Sequence, residues 1–331
     1  MAAPITPTVL PQSDEVMFLE TEKDVIHRLE QDAIKNPQSL TIVWRNVVFY
    51  VLVHIGGIYG LYQFLFYAKW QTALWAILLH YFSIFGIAAG SHRLWSHRAF
   101  KATLPARIIF MIATTVAFQN PAIEWVRDHR CHHKWTDTDA DPHNSKRGFF
   151  FSHAGWLLSK KFPQLKEMGA KIDLSDLYAD PVLVFQKNNY LILSLNFFIL
   201  IPSTVPVYFW GEDLLCSFLV SVLFRWVLNL NVTWLINSAA HMFGGKPYDK
   251  TISPADKLIT NFLAAGEGGH NFHHTFPQDY RTSEYGYFTN YTHVILDMMA
   301  WAGLIYDLKI ATPEMIARQA ARKGDGSYHL Y

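Results

Sequence analysis

Nine histidines in four short groups are the residues of this chain whose types and spacing could do chemistry. Three groups are boxes, His-Arg-Leu-Trp-Ser-His at 92–97, His-Arg-Cys-His-His at 129–133 and His-Asn-Phe-His-His at 270–274, and the fourth is a single histidine after Asn-Ser-Ala-Ala. The nine are His92, His97, His129, His132, His133, His241, His270, His273 and His274. Neutral imidazole is the commonest metal ligand and suits iron, zinc and copper. Because nine imidazoles exceed what one ion can hold, the sequence predicts two metal ions.

The spacing within the boxes indicates helices that aim the imidazoles. Side chains three or four residues apart share one face of an α-helix, and the second and third boxes have these spacings. The separation of five between His92 and His97 fits an α-helix less well. We expect ordinary structural roles for six histidines outside the four groups, namely His27, His54, His143, His153, His293 and His329.

Carboxylates beside the boxes leave open whether acidic residues also bind metal. Glu267-Gly-Gly-His270 matches the Glu-x-x-His pattern of carboxylate di-iron proteins. We favour an indirect role for Asp128 and Glu267, in which each orients an imidazole through its second ring nitrogen. The other acidic candidates are Glu124, Asp137, Asp139 and Asp141.

The composition indicates that membrane helices position the boxes. Half of the residues are hydrophobic (51%) and the formal net charge is +1, so there is no electrostatic basis for binding nucleic acid. A membrane-spanning helix needs about 20 mostly apolar residues. Four stretches meet or nearly meet this requirement, at 43–66, 72–90, 190–210 and 214–236. Short connections would join them into two helical hairpins, which gives an all-α integral membrane fold.

One shared metal centre requires all the boxes to lie on one side of the bilayer. The apolar stretch from Leu104 to Phe118 is short and contains Pro105 and Arg107, so we expect it not to cross. Lysine and arginine are frequent between the second and third spans, whereas the hairpin turns contain only Lys69, which favours a cytosolic location for the boxes and both termini. The sequence therefore predicts a polar cytosolic leader at 1–42, a membrane-embedded domain at 43–311 with the di-metal site in a cytosolic helical cap, and a short cytosolic tail at 312–331.

The motifs resemble those of the membrane acyl-CoA desaturases, the family of stearoyl-CoA desaturase. The resemblance extends from about Val43 to Asp307 and rests on His-Arg-Leu-Trp-Ser-His, Arg-Asp-His-Arg-x-His-His, Asn-Ser-Ala-Ala-His and Gly-Glu-Gly-x-His-Asn-Phe-His-His. It implies that the nine histidines bind two ferrous ions and that Asn237 reaches a metal through water.

The resemblance also implies contacts with an acyl-CoA substrate. It implies contacts near the CoA group and the thioester for Asn46, Gln119, Asn120, Arg127, Lys160 and Lys161. It implies a bent acyl tunnel walled by Gln119, Trp125, Thr233 and Trp234 and closed near His80 and Ile84. For the two lysines, plain cytosolic surface is the alternative.

Two side chains depart from what the resemblance leads us to expect. Ile84 is bulky for a residue at the closed end, so it would shorten the tunnel and favour a shorter acyl chain. Gly269 stands where an aromatic residue is usual before His-Asn. Its small size would loosen the third box or open space beside the metals.

Together these features predict an acyl-CoA desaturase of the delta-9 type, which uses dioxygen and two electrons to form a cis double bond. An unactivated methylene C–H bond is too strong for acid–base side chains, so a cofactor must supply the hard chemistry. Three rivals stay open: a di-iron fatty-acyl hydroxylase, a membrane zinc hydrolase and a transporter that relays heme or metal through histidines. The zinc motif His-Glu-x-x-His does not appear in the sequence.

The electron donor that the resemblance implies is cytochrome b5, fed by NADH through its reductase. The heme motif His-Pro-Gly-Gly does not appear in the sequence. We therefore expect a separate donor that docks on the cytosolic face. The resemblance further implies a multi-pass protein of the endoplasmic reticulum membrane.

Overall fold

Helices make up most of residues 7–10 and 23–328, the part of the chain that the computed structural model describes. In chain order they are α1 (Lys23–Lys35), α2 (Trp44–Phe66), α3 (Trp70–Ser96), α4 (Leu104–Ala117), α5 (Ala122–Lys134), α6 (Phe149–His153), α7 (Pro163–Gly169), α8 (Ser175–Tyr178), α9 (Pro181–Asn188), α10 (Tyr190–Trp210), α11 (Leu214–Met242), α12 (Leu258–Leu263), α13 (His270–Thr275), α14 (Tyr291–Trp301) and α15 (Pro313–Lys323). Part of the predicted leader, and His329 at the end of the predicted tail, lie outside the described residues.

Short strands and turns connect the helices of the cap. Strand β1 (Thr8–Val9) pairs in parallel with β4 (Lys309–Ile310), and β2 (Lys101–Ala102) pairs antiparallel with β3 (Ile305–Tyr306). Two 3₁₀ turns, Ser145–Arg147 and Gly155–Leu158, flank α6.

Four helices within the described part of the chain, α2, α3, α10 and α11, are long and apolar enough to cross a membrane. They follow one another as two hairpins, α2 with α3 and α10 with α11. The predicted all-α membrane fold with four spans is confirmed.

Helices α3 and α11 run beyond the apolar stretches that predicted them. Helix α3 continues to Ser96 and α11 to Met242, whereas the predicted spans end at 90 and 236. The additional turns carry His92 and His241. These two membrane helices therefore hold metal-ligand candidates at their ends on the cap side.

The two hairpin turns bind each other at the end of the bundle that lies away from the histidines. The backbone N–H of Lys69 donates to Glu212 at 2.8 Å, and its Nζ donates to the carbonyls of Trp210 and Gly211 at 2.8 and 2.7 Å. Thr72 also donates to Glu212, at 2.6 Å. These contacts fix the register between the hairpins.

Glycines let the membrane helices approach closely, as small residues do at helix contacts in bilayers. A Cβ at Gly60 of α2 would lie 2.2 Å from the carbonyl oxygen of Leu219 on α11. A Cβ at Gly86 of α3 would lie 2.4 Å from the carbonyl carbon of Ala113 on α4. Backbone therefore packs on backbone at both contacts.

A sharp bend separates α4 from α5. The two helices meet at 83°, and they would form a fifth span only if the bent pair were one crossing element. Phe118 and Asn120 have positive φ values of 50° and 74°, and Pro121 precedes the first turn of α5. The bend sends α5, with the second histidine box, across the cap.

The C-terminal helix supports the third histidine box. Phe272 of α13 packs in a buried apolar cluster with Tyr248, Phe276 and Ile316, the last of which belongs to α15. The segment predicted as a tail thus includes a helix that holds α13 in place.

Candidate metal centre and adjoining cavities

The nine imidazoles singled out in the sequence converge in two groups. The five-histidine group has ring nitrogens that all lie within 4.8 Å of one another, and it consists of His92, His97, His129, His133 and His273. The four-histidine group meets the same limit and consists of His132, His241, His270 and His274. The groups adjoin, since the rings of His133 and His274 stack with centroids 4.1 Å apart.

The atoms that converge are the Nε2 nitrogens. In the five-histidine group, Nε2 of His97 lies 2.8 Å from that of His129. In the four-histidine group, Nε2 of His241 lies 3.0 Å from that of His270. A neutral imidazole has one nitrogen with a free lone pair. Several such nitrogens aimed at one point form an arrangement suited to a metal ion.

A π-helix explains why the first box works with a spacing of five. Residues Gly86–Ser96 of α3 form a π-helix, and the N–H of His97 donates to the carbonyl of His92 at 3.2 Å. Because π-helical hydrogen bonds join residues i and i+5, the two side chains come onto one face. Their ring centroids lie 4.9 Å apart. The spacing of five is visible in the sequence, whereas the π-helix is visible only in the structure.

Each of the other two boxes divides its histidines between both groups. On α5, the i, i+4 pair His129 and His133 joins the five-histidine group, and His132 joins the other. On α13, the i, i+4 pair His270 and His274 joins the four-histidine group, while His273 joins the first. Each of these two helices therefore contributes imidazoles to both groups.

Carboxylates bind the outward nitrogens of several imidazoles. Nδ1 of His92 lies 2.7 Å from Glu267, and Nδ1 of His132 lies 2.8 Å from Asp141. Such contacts fix the tautomer and the ring orientation of a metal-binding histidine. Glu267 therefore contacts the outward nitrogen of an imidazole, as predicted. Its second carboxylate oxygen accepts a hydrogen bond from Arg93.

Burial favours the neutral form of six imidazoles in the cap. Desolvation, reinforced by repulsion among the rings, lowers the pKa well below the usual histidine value for His129, His132, His133, His270, His273 and His274. Burial alone would raise the pKa of Glu267, but His92 and Arg93 outweigh it and lower this pKa to about 2. Neutral ligands backed by an anion are the state that binds a cation.

The prediction for Asp128 is wrong. Its carboxylate contacts no imidazole among the described hydrogen bonds and ion pairs, and it accepts instead from Arg127 at 2.8 Å and from Lys161. Asp128 belongs to the neighbouring polar pocket.

His143 is a candidate site residue that sequence reasoning missed. Its ring centroid lies 4.4 Å from that of His132, and Asp141 forms a third metal-suited group with both. The signal was the run Asp-Thr-Asp-Ala-Asp-Pro-His-Asn at 137–144, which follows the second box. An isolated histidine in that run gave no reason to prefer a site role.

Two adjoining cavities lie beside the metal-ligand candidates. The outer cavity, of about 100 Å³, is lined by Gln119, Asn120, Trp125, Thr233 and Trp234 among others. The inner cavity, of about 60 Å³, is lined by Ile84 and by apolar residues of α3 and α11. Both cavities include Trp125, His129, Thr233 and Asn237 in their walls. They therefore adjoin at a shared wall that contains His129, and we refer to the two cavities together as the tunnel.

A buried polar network sets part of this shared wall. Gln119 donates through Nε2 to Asn229 at 2.6 Å and to Thr233 at 3.0 Å, and Asn229 donates to Ser83 at 2.8 Å. Arg225, one turn away, donates to the carbonyl of Val116 at 3.2 Å. This carbonyl lies in the last turn of α4, where the helix dipole is negative and favours a cation.

A third cavity, of about 260 Å³, lies next to the outer end of the tunnel. Arg127, Asp128, Lys161 and Lys166 are among its lining residues, and Asp128 also lines the outer tunnel cavity. This cationic pocket is suited to an anionic group on a molecule whose apolar part enters the tunnel.

Three predicted contact residues lie outside these cavities. Asn46 donates to the carbonyl of Leu157 at 2.7 Å, and the exposed Lys160 bonds through its backbone N–H to Thr41. His80 lines a separate cavity of about 300 Å³ that shares Val232 with the inner tunnel cavity.

The space expected at Gly269 is already filled. A Cβ at this position would lie 2.3 Å from Cβ of Ser283. Gly269 therefore permits a close approach of the neighbouring loop to α13, and the expectation of open space beside the metals is wrong.

The sequence matches the family model described as fatty acid desaturase over residues 68–291. It is 53% identical over 310 residues to the delta(9)-fatty-acid desaturase fat-6 of Caenorhabditis elegans, with coverage of 94% of this chain and 91% of the relative. It is 50% identical over 299 residues to the acyl-CoA delta12-desaturase of Acheta domesticus (90% and 84%). It is 48% identical over 308 residues to the stearoyl-CoA desaturase of Mesocricetus auratus (93% and 87%).

Proposed function

Because this chain belongs to the fatty acid desaturase family, we propose that it is an acyl-CoA desaturase that introduces a cis double bond at the delta-9 position. The family predicted from the histidine boxes is confirmed. The delta-9 assignment is supported by the relative with the highest identity of the three described above, although a relative of similar identity is named for delta-12.

The position of the imidazoles at the shared wall of the tunnel is the observation that carries this proposal. His129 belongs to the five-histidine group and also lines both tunnel cavities. An acyl chain in the tunnel would therefore bend beside the metal-ligand candidates. A catalyst placed there meets the middle of the chain rather than either end.

The nine histidines would hold two iron ions. The donor set fits this assignment, because imidazole suits iron and the Nε2 nitrogens converge in two adjoining groups. Asn237 lies one turn before His241 and lines both tunnel cavities, which suits the proposed contact to a metal through water. When bound, the iron pair supplies the activation of dioxygen that no side chain can provide.

The overall reaction converts CH2–CH2, dioxygen, two electrons and two protons into CH=CH and two water molecules. The chain's residues position the substrate for this reaction. Gln119 and Thr233 fix the wall at the bend through their hydrogen bond, and Trp125 closes the side next to His129. Accurate placement and exclusion of water are the contributions expected of such a tunnel.

The cationic pocket beside the tunnel would bind the phosphates of CoA. Arg127 and Lys161 line it, and both pair with Asp128, whose carboxylate holds their side chains at the tunnel mouth. Lys166 adds a further cation to the lining. Lys160 is exposed and suits a looser contact at the rim.

Cytochrome b5 and its NADH-dependent reductase would supply the electrons. We place the cap on the cytosolic face of the endoplasmic reticulum membrane, since the lysine-rich and arginine-rich segments lie on the cap side of the four spans. A donor in the cytosol would then meet the face that holds the metal centre.

Expression in yeast that lacks its own desaturase tests the activity and its position. We expect growth without added unsaturated fatty acid and double bonds at C9–C10 of the cellular lipids. His273→Ala should abolish the product, because it removes a proposed ligand, while His27→Ala, on the surface helix α1, should leave it unchanged. Metal analysis of the purified protein should find two irons per chain.

Other outcomes would point away from this assignment. An acyl chain that retains oxygen as a hydroxyl group would identify a hydroxylase. Double bonds at another carbon would contradict only the delta-9 position. A purified, active protein without iron would contradict the proposed metal centre.

A further inference from the structure

A further cavity, separate from the two tunnel cavities and from the cationic pocket, also reaches the five-histidine group. We call it the second cavity. It has a volume of about 340 Å³, and its wall includes His97 and His133 of that group. None of its lining residues lines either tunnel cavity. It is therefore separate from the path that the acyl chain would take.

The five-histidine group forms the partition between the two spaces. His97 lines the second cavity and His129 lines the tunnel. Their Nε2 atoms lie 2.8 Å apart. A ligand that approached a metal in this group through the second cavity would not have to pass the acyl chain.

The wall of the second cavity is polar and opens to solvent. Arg98, Arg130 and Lys134 contribute to it together with Asp173, and Arg98 is exposed. Asp176 pairs with both arginines, at 3.0 Å from Arg98 and 2.7 Å from Arg130. These ion pairs place charged, hydrated groups at the entrance, and an apolar chain would avoid them.

We propose that this cavity is a separate entrance through which water and small oxygen or nitrogen ligands of two or three atoms reach the metal centre while an acyl chain fills the tunnel. The inference rests on the proposed di-iron function and extends it. An entrance with a wall different from that of the tunnel would let dioxygen enter and water leave while the substrate occupies the bend.

Azide binding to the purified iron-loaded protein tests the entrance without relying on turnover. The azide association rate would be followed by its absorption band, with and without a saturating unreactive thioether analogue of the acyl-CoA. We expect the analogue to leave the rate nearly unchanged. Gln278→Trp, which places a large side chain in the cavity, should slow azide by at least about tenfold in the analogue-bound protein, because the ligand must then wait for an opening.

Matched variants separate obstruction from damage. Gln278→Ala enlarges the same position and should bind azide at least as fast as the wild type. Asp173→Trp obstructs the cavity from another wall and should slow azide if Gln278→Trp does not fold. Unchanged affinity for the analogue would show that the tunnel is intact in each variant.

Two results would overturn this entrance and leave the desaturase assignment standing. One is an azide band in the free protein that the analogue abolishes, which would make the tunnel the route. The other is an unchanged azide rate in folded variants carrying tryptophan at either position. A wild-type protein that binds no iron would instead overturn the proposed function, and this entrance with it.

Discussion

At the scale of residues, the nine converging imidazoles differ in what their two nitrogens contact. Nε2 faces the converging groups in all nine, whereas Nδ1 contacts a nearby carboxylate in His92 and His132. For His92 that contact is Glu267, which also binds Arg93 and so carries a fixed negative charge close to the centre. The carboxylate behind the ring should therefore influence how tightly the five-histidine group holds metal.

Glu267→Gln should weaken the metal bound by the five-histidine group by roughly 10- to 100-fold, the usual effect of removing a carboxylate behind a ligating histidine. The amide has nearly the same shape, but it lacks the charge that orients His92 and balances the buried Arg93. Competition with a chelator, followed by metal analysis, would measure the change.

Glu124→Gln is the matched control for that substitution. Glu124 also lies in the cap, on the histidine-bearing helix α5, and no described hydrogen bond joins it to an imidazole. Its loss should leave metal affinity unchanged. Equal effects of the two variants would show that Glu267 acts only through the general charge of the cap.

At the scale of elements, helix geometry converts sequence spacing into convergence. The π-helix at the end of α3 aligns two histidines five residues apart, while α5 and α13 use ordinary i, i+3 and i, i+4 positions. The close contact of α3 with α4 holds the first of these elements. It depends on Gly86, where the π-helix begins.

Gly86→Ala should lower the stability of the protein by about 1–3 kcal/mol, the usual cost of forcing extra atoms into a packed contact. The added Cβ would lie 2.4 Å from backbone of Ala113, so α3 and α4 would have to separate. Thermal unfolding in detergent would show a lower midpoint.

Gly286→Ala is the control at a position where a Cβ would meet no atom within 4 Å. We expect it to leave the unfolding midpoint unchanged. A midpoint for Gly86→Ala equal to that of the wild type would mean that the contact between the helices is looser than the structure indicates.

Ile84→Ala should shift the acyl preference towards longer chains. Ile84 lines the inner tunnel cavity and packs with Val232 and Ala264, so its removal extends the space available to the methyl end of the substrate. The ratio of stearoyl to palmitoyl conversion should rise about tenfold, within the range for small changes in an apolar pocket.

Product analysis from paired substrates would measure this ratio for the wild type, Ile84→Ala and Leu78→Ala. Leu78 lies on the same helix but is exposed on its outer surface (55%), so its variant should keep the wild-type preference. An unchanged ratio in Ile84→Ala would place the length-limiting contact elsewhere.

At the scale of the whole molecule, four spans separate two ends with different compositions. The hairpin turns contain Lys69 as their one basic residue, whereas the cap carries many lysines and arginines. Basic segments stay on the cytosolic side during insertion. This asymmetry predicts the orientation that the proposed electron donor requires.

A glycosylation acceptor inserted between Gly211 and Asp213 should be modified in microsomes, because this turn would face the lumen. The same acceptor added after the last residue should stay unmodified. A gel shift that glycosidase reverses would measure both. Modification of the terminal acceptor alone would invert the proposed topology and place the metal centre in the lumen.

The sequence by itself determined the family, the membrane class and the number of spans, and it singled out the nine histidines that the structure brings together. These features depend on residue type and local spacing: imidazoles bind metals wherever they cluster, and apolar runs of sufficient length enter a bilayer whatever their neighbours. The family resemblance added the tunnel, several of whose predicted wall residues do line the two adjoining cavities.

Only the tertiary structure decided how the nine imidazoles divide between two groups and which carboxylates contact them. That division depends on the packing of α3, α5, α11 and α13, which are distant in the chain. The same reason explains the errors: Asp128 turns towards Lys161, and Ser283 fills the space at Gly269. Contacts between remote segments depend on how the helices pack, so they cannot be predicted from local spacing.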